Sequence, residues 1–79
     1  MQVTVRLFAS LSRYSPGGLP GTPFKKRLPI SANLQDLVDL LGIPAEEIKV
    51  PFVNGLIREL DYALKPGDEV GIFPPIGGG

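Results

Sequence analysis

A single stretch of the sequence repeats its apolar side chains at the spacing of an α-helix. In SANLQDLVDLLG these side chains recur every three or four residues, at Leu34, Leu37, Val38 and Leu41. This spacing places them on one stripe of a short helix. Because a helix this short is not stable alone in water, its stripe must pack against another element. With one helix available, only one face of a sheet can be covered.

The residues around this helix indicate where it begins and ends. Either Ser31 or Asn33 is suited to cap the first turn, because both side chains can accept a hydrogen bond from a free backbone N–H. Asp36 lies in that turn, where the helix dipole favours an acid. Gly42 is expected to end the helix, with Pro44 just beyond it. The sequence therefore predicts a helix of roughly three turns.

Two strands are predicted before the helix. QVTVRLFA alternates apolar and polar residues and predicts the first strand. A loop rich in proline and glycine follows at 15–23, and FKKRLPI then predicts a second strand over 24–30, with Pro29 near its end or at an edge. The KKR run has two interpretations, as the solvated edge of a strand or as a docking site for an acidic partner.

Three shorter strands are predicted after the helix. A strand that ends at Val53 leads through Asn54-Gly55, the strongest two-residue hairpin signal, into a short return strand from Leu56. A Pro-Gly-Asp turn then introduces a last strand over 69–73, which two prolines end because neither can donate a ladder hydrogen bond.

The order of these elements predicts the topology. The first and last strands are apolar enough to be central, and a helical crossover can place them parallel and side by side. We therefore expect an α+β fold, a mixed sheet with one main helix packed on one face, of the ubiquitin-like β-grasp type. Residues 1–73 would form this domain, and 74–79 a C-terminal tail of prolines and glycines.

Composition excludes several classes of function. The chain has no histidine and no cysteine, which removes disulfides, thiolate nucleophiles, imidazole catalysis and the usual zinc sites. The formal net charge is zero, without the basic excess of a nucleic-acid binder. No apolar run reaches the ~20 residues of a membrane span, and no signal peptide is evident, so a cytoplasmic protein is expected. Asp68 and Glu69 are interpreted as part of the PGDE turn rather than as a catalytic pair.

Four motifs run through the chain in order: VRLFASL, VNG, LKPGDEVGIFPP and a C-terminal GG. Together they resemble the MoaD/ThiS family of sulfur carriers, over the whole length of the chain. The FPP motif before the tail is more similar to the small subunit of molybdopterin synthase than to the thiamine carrier. Gly77 departs from that subfamily, which often has alanine, serine or threonine at this position.

The resemblance implies that the carboxylate of Gly79 is the reactive group. An E1-like activating enzyme would adenylate it with ATP, a persulfide donor would convert it to a thiocarboxylate, and the large subunit of the synthase would pass the sulfur to a pterin precursor. No permanently bound cofactor is expected, because the partners supply the chemistry. Gly77 and Gly78 have no side chains and could thread a narrow channel, while Pro74 and Pro75 restrict the base of the tail.

By itself, a tail of this composition is typical of a frayed terminus. Gly17-Gly18 is a second diglycine, and nothing marks it except a loop rich in turn residues. The position of the other diglycine at the C-terminus, after two prolines, together with the resemblance, favours a functional tail.

Two phenylalanines suggest a second site. By strand alternation Phe8 and Phe73 point away from the apolar face, and they would be neighbours if the first and last strands pair. The resemblance implies that Phe8, Phe73 and Ile57 form a hydrophobic docking surface for the activating enzyme and for the large subunit. Arg6 and Arg13 are candidates for polar contacts around this surface. The alternative is that the two rings cover a minor core under a loop.

Three functions are compatible with the sequence. The first is a sulfur carrier in molybdopterin synthesis, for a molybdenum or tungsten cofactor. The second is a sulfur carrier for thiamine or another pathway. The third is a ubiquitin-like modifier that joins Gly79 to lysines of target proteins through isopeptide bonds.

Overall fold

The computed structural model describes residues 1–75. Its strands and main helix are β1 (Gln2–Leu7), β2 (Phe24–Arg27), α1 (Leu34–Leu41), β3 (Val50–Val53), β4 (Leu56–Ile57) and β5 (Glu69–Phe73). The strands form one five-stranded sheet in the order β2-β1-β5-β3-β4. One face of this sheet packs against α1, and we call the opposite face the open face. The predicted α+β arrangement of the β-grasp is confirmed.

The two central strands come from the two ends of the domain. β1 and β5 are parallel, with Val5 beside Val70 and Leu7 beside Ile72. The other three pairings, β1 with β2, β3 with β5 and β3 with β4, are antiparallel. The parallel central pair is the feature that the helical crossover predicts, and it fixes which side chains share a face.

The second strand is shorter than the predicted range of 24–30, since it ends at Arg27. The backbone contact between the two strands continues for one residue past β2, since the Leu28 N–H donates to the carbonyl oxygen of Met1 at 2.7 Å. The next residue, Pro29, has no N–H to donate to the ladder. The chain therefore leaves the sheet earlier than the sequence pattern indicates.

The core lies between α1 and the two central strands. Its fully buried side chains, each no more than 2% exposed, include Val3, Val5, Leu7, Leu34, Leu37, Val38, Val70 and Ile72. Burying each of them contributes on the order of 1.5–3 kcal/mol relative to exposure. Leu41, the fourth residue of the predicted stripe, is only partly buried and packs at the margin of the core.

Asn33, rather than Ser31, caps the helix. The Asn33 side chain accepts a hydrogen bond from the Asp36 N–H at 2.8 Å, and the Asp36 carboxylate accepts one from the Asn33 N–H at 2.9 Å. This reciprocal pair satisfies two of the N–H groups left free at a helix start. Gly42 ends the helix as predicted, in the left-handed conformation with φ of 77°. The helix has eight residues, which is closer to two turns than to three.

Two short 3₁₀ helices, Ala9–Tyr14 and Ala45–Glu47, were not predicted from the sequence. Leu11 anchors the first of them in the core with no exposed surface. Arg13 forms an ion pair with Glu47 and so joins the first 3₁₀ helix to the second. All the helices within residues 1–75 are short, and none is long and apolar enough to cross a membrane.

The PGDE segment forms a turn, as predicted. Asp68 is 7% exposed. One of its carboxylate oxygens accepts a hydrogen bond from the Lys65 N–H at 2.8 Å, and the other accepts one from the Asn54 amide at 3.0 Å. Asn54 and Gly55 form the predicted hairpin, both with positive φ. The buried acid therefore holds two turns together, which is a structural role.

The capping pair gives a testable prediction. Replacing Asn33 by alanine removes the acceptor for the Asp36 N–H, so N33A should lower the free energy of unfolding by about 1 kcal/mol. S31A is the matched control, because Ser31 is exposed, has a positive φ and makes no cap, and it should have little effect. Urea titration of both variants checks this, and equal effects would contradict the assignment of the cap.

Candidate functional site

The register brings four strands together across the open face. One row across the sheet contains Arg6 on β1, Gly71 on β5, Phe52 on β3 and Ile57 on β4. Phe8 and Phe73 lie next to this row, toward the carboxyl ends of the central strands. Phe8 follows β1 directly, and its N–H donates to the carbonyl oxygen of Ile72 at 3.2 Å. The parallel pairing of the central strands thus makes the two predicted phenylalanines neighbours.

Three phenylalanine rings form a cluster on this face. The rings of Phe8 and Phe73 are parallel within 2°, with their centroids 4.2 Å apart. Phe52 meets Phe73 edge to face, with centroids 5.7 Å apart and planes at 77°. We call Phe8, Phe52 and Phe73 the aromatic cluster. Phe52 was missed from the sequence, although alternation from the buried Val53 would have placed it on the open face.

Glycine at position 71 makes room for the ring of Phe8. A Cβ atom at Gly71 would lie 3.3 Å from Cε2 of that ring, and a Cβ atom at Gly21 would lie 3.4 Å from Cε1. The Phe8 ring is therefore enclosed between the central strand β5 and the loop at 15–23, and it is half-buried. The sequence left open that the two phenylalanine rings form a minor core under a loop. This holds in part for Phe8, whose ring is half-buried beneath the loop.

The exposed part of the apolar surface comes from the neighbours of Phe8. Phe73 is 38% exposed and Ile57 is 66% exposed. Ile57 lies directly beside Phe52 in the β3–β4 pairing. The structure therefore places all three of the predicted docking residues on one face, with Phe8 as the support and Phe73 and Ile57 as the accessible surface.

The two predicted arginines occupy different settings. Arg6 is exposed and borders the same groove as Phe8, Phe52 and Gly71. Arg13 lies in the first 3₁₀ helix. Its guanidinium donates to the Ser10 carbonyl oxygen at 2.9 Å and to the Tyr14 hydroxyl at 3.2 Å, and it pairs with the Glu47 carboxylate.

The bonds of Arg13 have an electrostatic consequence. The hydrogen bond with Tyr14, followed by the charge of Glu47, raises the pKa of Arg13 above its ordinary value. The side chain is thus held in place by its own chain, while contact with a partner stays a prediction for both Arg6 and Arg13.

The tail leaves the sheet beside the aromatic cluster. The carbonyl oxygen of Phe73, the last residue of β5, accepts a hydrogen bond from the Lys49 N–H at 3.0 Å. Pro74 and Pro75 follow, and together with Phe73 and Phe52 they line an apolar groove. The predicted tail residues Gly77, Gly78 and Gly79 lie outside the described residues.

The side chains of this face are suited to binding a partner rather than to catalysis. The aromatic cluster and Ile57 offer apolar contact, and Arg6 offers a fixed positive charge. None of these groups can act as a nucleophile or as a proton acceptor at neutral pH. Among residues 1–75, no group of three or more acidic, histidine or cysteine side chains is placed to hold a metal ion.

The contact between the two stacked rings gives a second prediction. F8L and F73L should be less destabilising together than the sum of the single effects, with a coupling of about 0.5–1.5 kcal/mol, because either substitution alone already removes the ring pair. F8L with F24L is the control pair, since Phe24 packs against the core on the helix side, and those effects should add. Urea unfolding measures both cycles, and strict additivity for Phe8 and Phe73 would contradict the stacking.

Comparison with known proteins identifies relatives of the same architecture. The model of the ThiS family matches residues 5–79. No curated protein sequence matches the chain. Among solved structures, SAMP1 from Haloferax volcanii is 22% identical, with 100% of each chain covered and a TM-score of 0.74. A Pyrococcus furiosus protein provisionally assigned as subunit 1 of molybdopterin converting factor is 28% identical, with 96% of this chain and 99% of that chain covered and a TM-score of 0.73.

A further structure contains a partner chain. It is described as the complex of subunits 1 and 2 of the molybdopterin-converting factor from Helicobacter pylori, and the matched chain is 22% identical, with 100% of each chain covered and a TM-score of 0.63. At this identity the likeness supports the fold alone, as it does for SAMP1. The family match is different in kind, because it is a match of the sequence itself to a family model, over residues 5–79. The resemblance predicted from the motifs is therefore confirmed, and the chain belongs to the ThiS family.

Proposed function

We propose that the chain is the sulfur-donating small subunit of a molybdopterin synthase, whose Gly79 carboxylate becomes a thiocarboxylate. The observation that carries the proposal is the position of the aromatic cluster. The chain belongs to the ThiS family. Its aromatic cluster lies beside Pro74 and Pro75, the residues that connect the sheet to the glycines of the tail. A partner bound to the cluster would hold the base of the tail, so that the tail points into the partner's active site.

The proposed chemistry needs partners at each step. A free carboxylate is a poor electrophile, so an E1-like enzyme would join it to AMP from ATP and release pyrophosphate. The terminal sulfur of a persulfide would then attack the carbonyl carbon and displace AMP. A second thiol would reduce the resulting acyl disulfide and release the thiocarboxylate. In the large subunit, the thiocarboxylate sulfur would displace an oxygen substituent from a carbon of the pterin precursor. Hydrolysis of the resulting thioester would leave the sulfur on the pterin and restore the Gly79 carboxylate.

The glycines of the tail suit this role physically. Gly77, Gly78 and Gly79 have no side chains, so the backbone can approach a nucleotide or a pterin closely. Ordering such a segment costs on the order of 1–2 kcal/mol per residue. Pro74 and Pro75 lower that cost at the base of the tail, because their φ angles are fixed before binding.

The apolar surface supplies the binding energy in this proposal. Phe73 and Ile57 together present apolar area that a partner can cover, at about 25 cal/mol for each Å² removed from water. Arg6 borders the groove and would add a polar contact with a carboxylate of the partner, and Arg13 a second one. The 28%-identical relative from Pyrococcus furiosus, with its provisional molybdopterin assignment, supports this pathway over thiamine synthesis.

Two adjacent residues of β4 allow a matched test of docking. I57K should weaken binding to the activating enzyme about 10- to 100-fold, because Ile57 lies on the open face and loses roughly 1.5–3 kcal/mol of apolar burial. L56K is the control, because Leu56 is similarly exposed, at 57% against 66%, but pairs with Val53 and points to the other side. Titration calorimetry measures both affinities, with melting temperature as the check on folding. Equal losses would contradict docking through the open face.

Deletion of Gly79 tests the reactive group. The shortened chain should keep its melting temperature and lose all thiocarboxylate formation when incubated with the activating enzyme, ATP and a persulfide-loaded sulfurtransferase. Because the chain has no cysteine, a thiol-directed alkylating reagent labels the thiocarboxylate selectively. A labelled shortened chain would contradict the assignment of Gly79 as the reacting residue, because it would end in the Gly78 carboxylate. A shortened chain that fails to fold would contradict a free tail.

The same reconstituted system separates the pathways. With the large subunit and pterin precursor added, loss of the label with sulfur recovered in the pterin supports the proposal. If the thiocarboxylate is stable with the large subunit and the pterin precursor but is consumed by the enzymes of the thiazole pathway, the chain is a thiamine carrier. Isopeptide conjugates on added proteins would show a modifier.

A further inference from the structure

A second exposed apolar surface lies on the helix side of the molecule, around Leu40. Leu40 is in the last turn of α1 and is 54% exposed. On one side it borders a groove lined by Ile30, Asp36 and Asp39, and Ile30 is 72% exposed. On the other side it borders a groove that includes Lys26 of the edge strand β2. An apolar centre thus has acidic side chains on one flank and a basic side chain on the other.

The charges on the two flanks are available to a partner. Lys26 pairs with Val3 in the β1–β2 register, so its side chain is on the helix side. Asp39 accepts a hydrogen bond from the amide of Gln35 at 2.9 Å, which leaves its charge unpaired. Among residues 1–75, neither Lys26 nor Asp39 takes part in an ion pair. Both are therefore free to form one across an interface.

This arrangement is complementary to itself. A two-fold axis through Leu40 would place the acidic flank of one copy against the basic flank of the other, because an isologous interface pairs residue i with j and j with i. The formal net charge of zero adds no long-range repulsion between copies. We propose that the Leu40 surface binds a second copy of the chain, with Leu40 against Leu40 and Lys26 of each copy against Asp39 of the other.

The proposed pair is compatible with the docking surface but does not depend on it. The Leu40 surface is on the helix side, whereas Phe73 and Ile57 are on the open face. Both open faces would stay accessible in the pair. Failure of the sulfur-transfer proposal would leave this inference unaffected, since it rests on different residues.

The surface is small, so the association belongs with transient interfaces below about 1,200 Å². Sedimentation velocity of the full chain should show a monomer at low concentration and a growing dimer fraction toward about 1 mM. Added salt should shift the balance to monomer, because raising the salt from 0.1 M to 1 M shortens the Debye length from about 10 Å to about 3 Å and so weakens exposed ion pairs. A single species of monomer mass throughout the series would overturn the proposal.

A charge exchange between two variants tests the proposed contacts directly. K26E alone and D39K alone should each weaken self-association about 10-fold or more, because like charges then face each other twice in the pair. An equimolar mixture should form a heterodimer. In this heterodimer the two substituted positions, 26 of the K26E chain and 39 of the D39K chain, face each other with opposite charges. The second contact joins the unchanged Asp39 of the K26E chain to the unchanged Lys26 of the D39K chain. Neither change should disturb folding. Position 26 is on an edge strand, and position 39 is in the last helical turn, where a cation suits the dipole.

The mixture has two informative outcomes. Dimer in the mixed sample, with monomer in each separate sample, confirms both the surface and its symmetry. If the dimer fraction of the mixture is only the average of the dimer fractions of the two separate samples, the inference is overturned. Concentration-dependent amide shifts in NMR spectra provide a second readout. They should centre on Leu40 and Lys26, and shifts centred on Phe73 and Ile57 would equally overturn it.

Discussion

The parallel pairing of β1 with β5 is the interaction on which the rest of the structure depends. The same register sends Val5, Leu7, Val70 and Ile72 into the core and places Phe8 against Phe73 on the other face. Because side chains alternate along a strand, a shift of one residue would exchange the two faces. The pairing also fixes the point at which the prolines leave the sheet. Core, candidate docking surface and tail exit thus follow from one set of backbone contacts.

The open face and the helix side have different physical characters. On the open face, Gly71 lets the ring of Phe8 lie against β5, and this ring supports the exposed ring of Phe73. In our proposal this surface binds the enzymes that act on Gly79, so the chain itself needs no reactive side chain. The helix side carries opposite charges around Leu40, an arrangement that suits a copy of the same chain. The two proposed surfaces lie on opposite sides of the sheet, so pairing through one leaves the other uncovered.

Much of the fold could be predicted from the sequence, because the elements concerned depend on local patterns. The helical stripe, the Asn54-Gly55 hairpin and the parallel central strands follow from period, turn chemistry and crossover rules. The short helix Ala9–Tyr14 could not, since it depends on burial of Leu11 and on the bonds of Arg13 with Glu47, a residue distant in sequence.

The candidate site was predictable to a similar degree. Alternation alone placed Phe8 and Phe73 on one face, but the enclosure of Phe8 between Gly71 and Gly21 required the path of the loop at 15–23. The proposed function requires that sulfur be carried on Gly79, which can be examined through the intact mass of the protein purified from its native cell, with fragmentation of the C-terminal peptide. Fragmentation is needed because replacing oxygen by sulfur adds the same nominal mass as oxidation of Met1 to its sulfoxide. For a sulfur carrier in molybdopterin synthesis, we expect sulfur localised to Gly79 during active cofactor synthesis. An unmodified Gly79 carboxylate under those conditions, or Gly79 found only in isopeptide bonds, would contradict it.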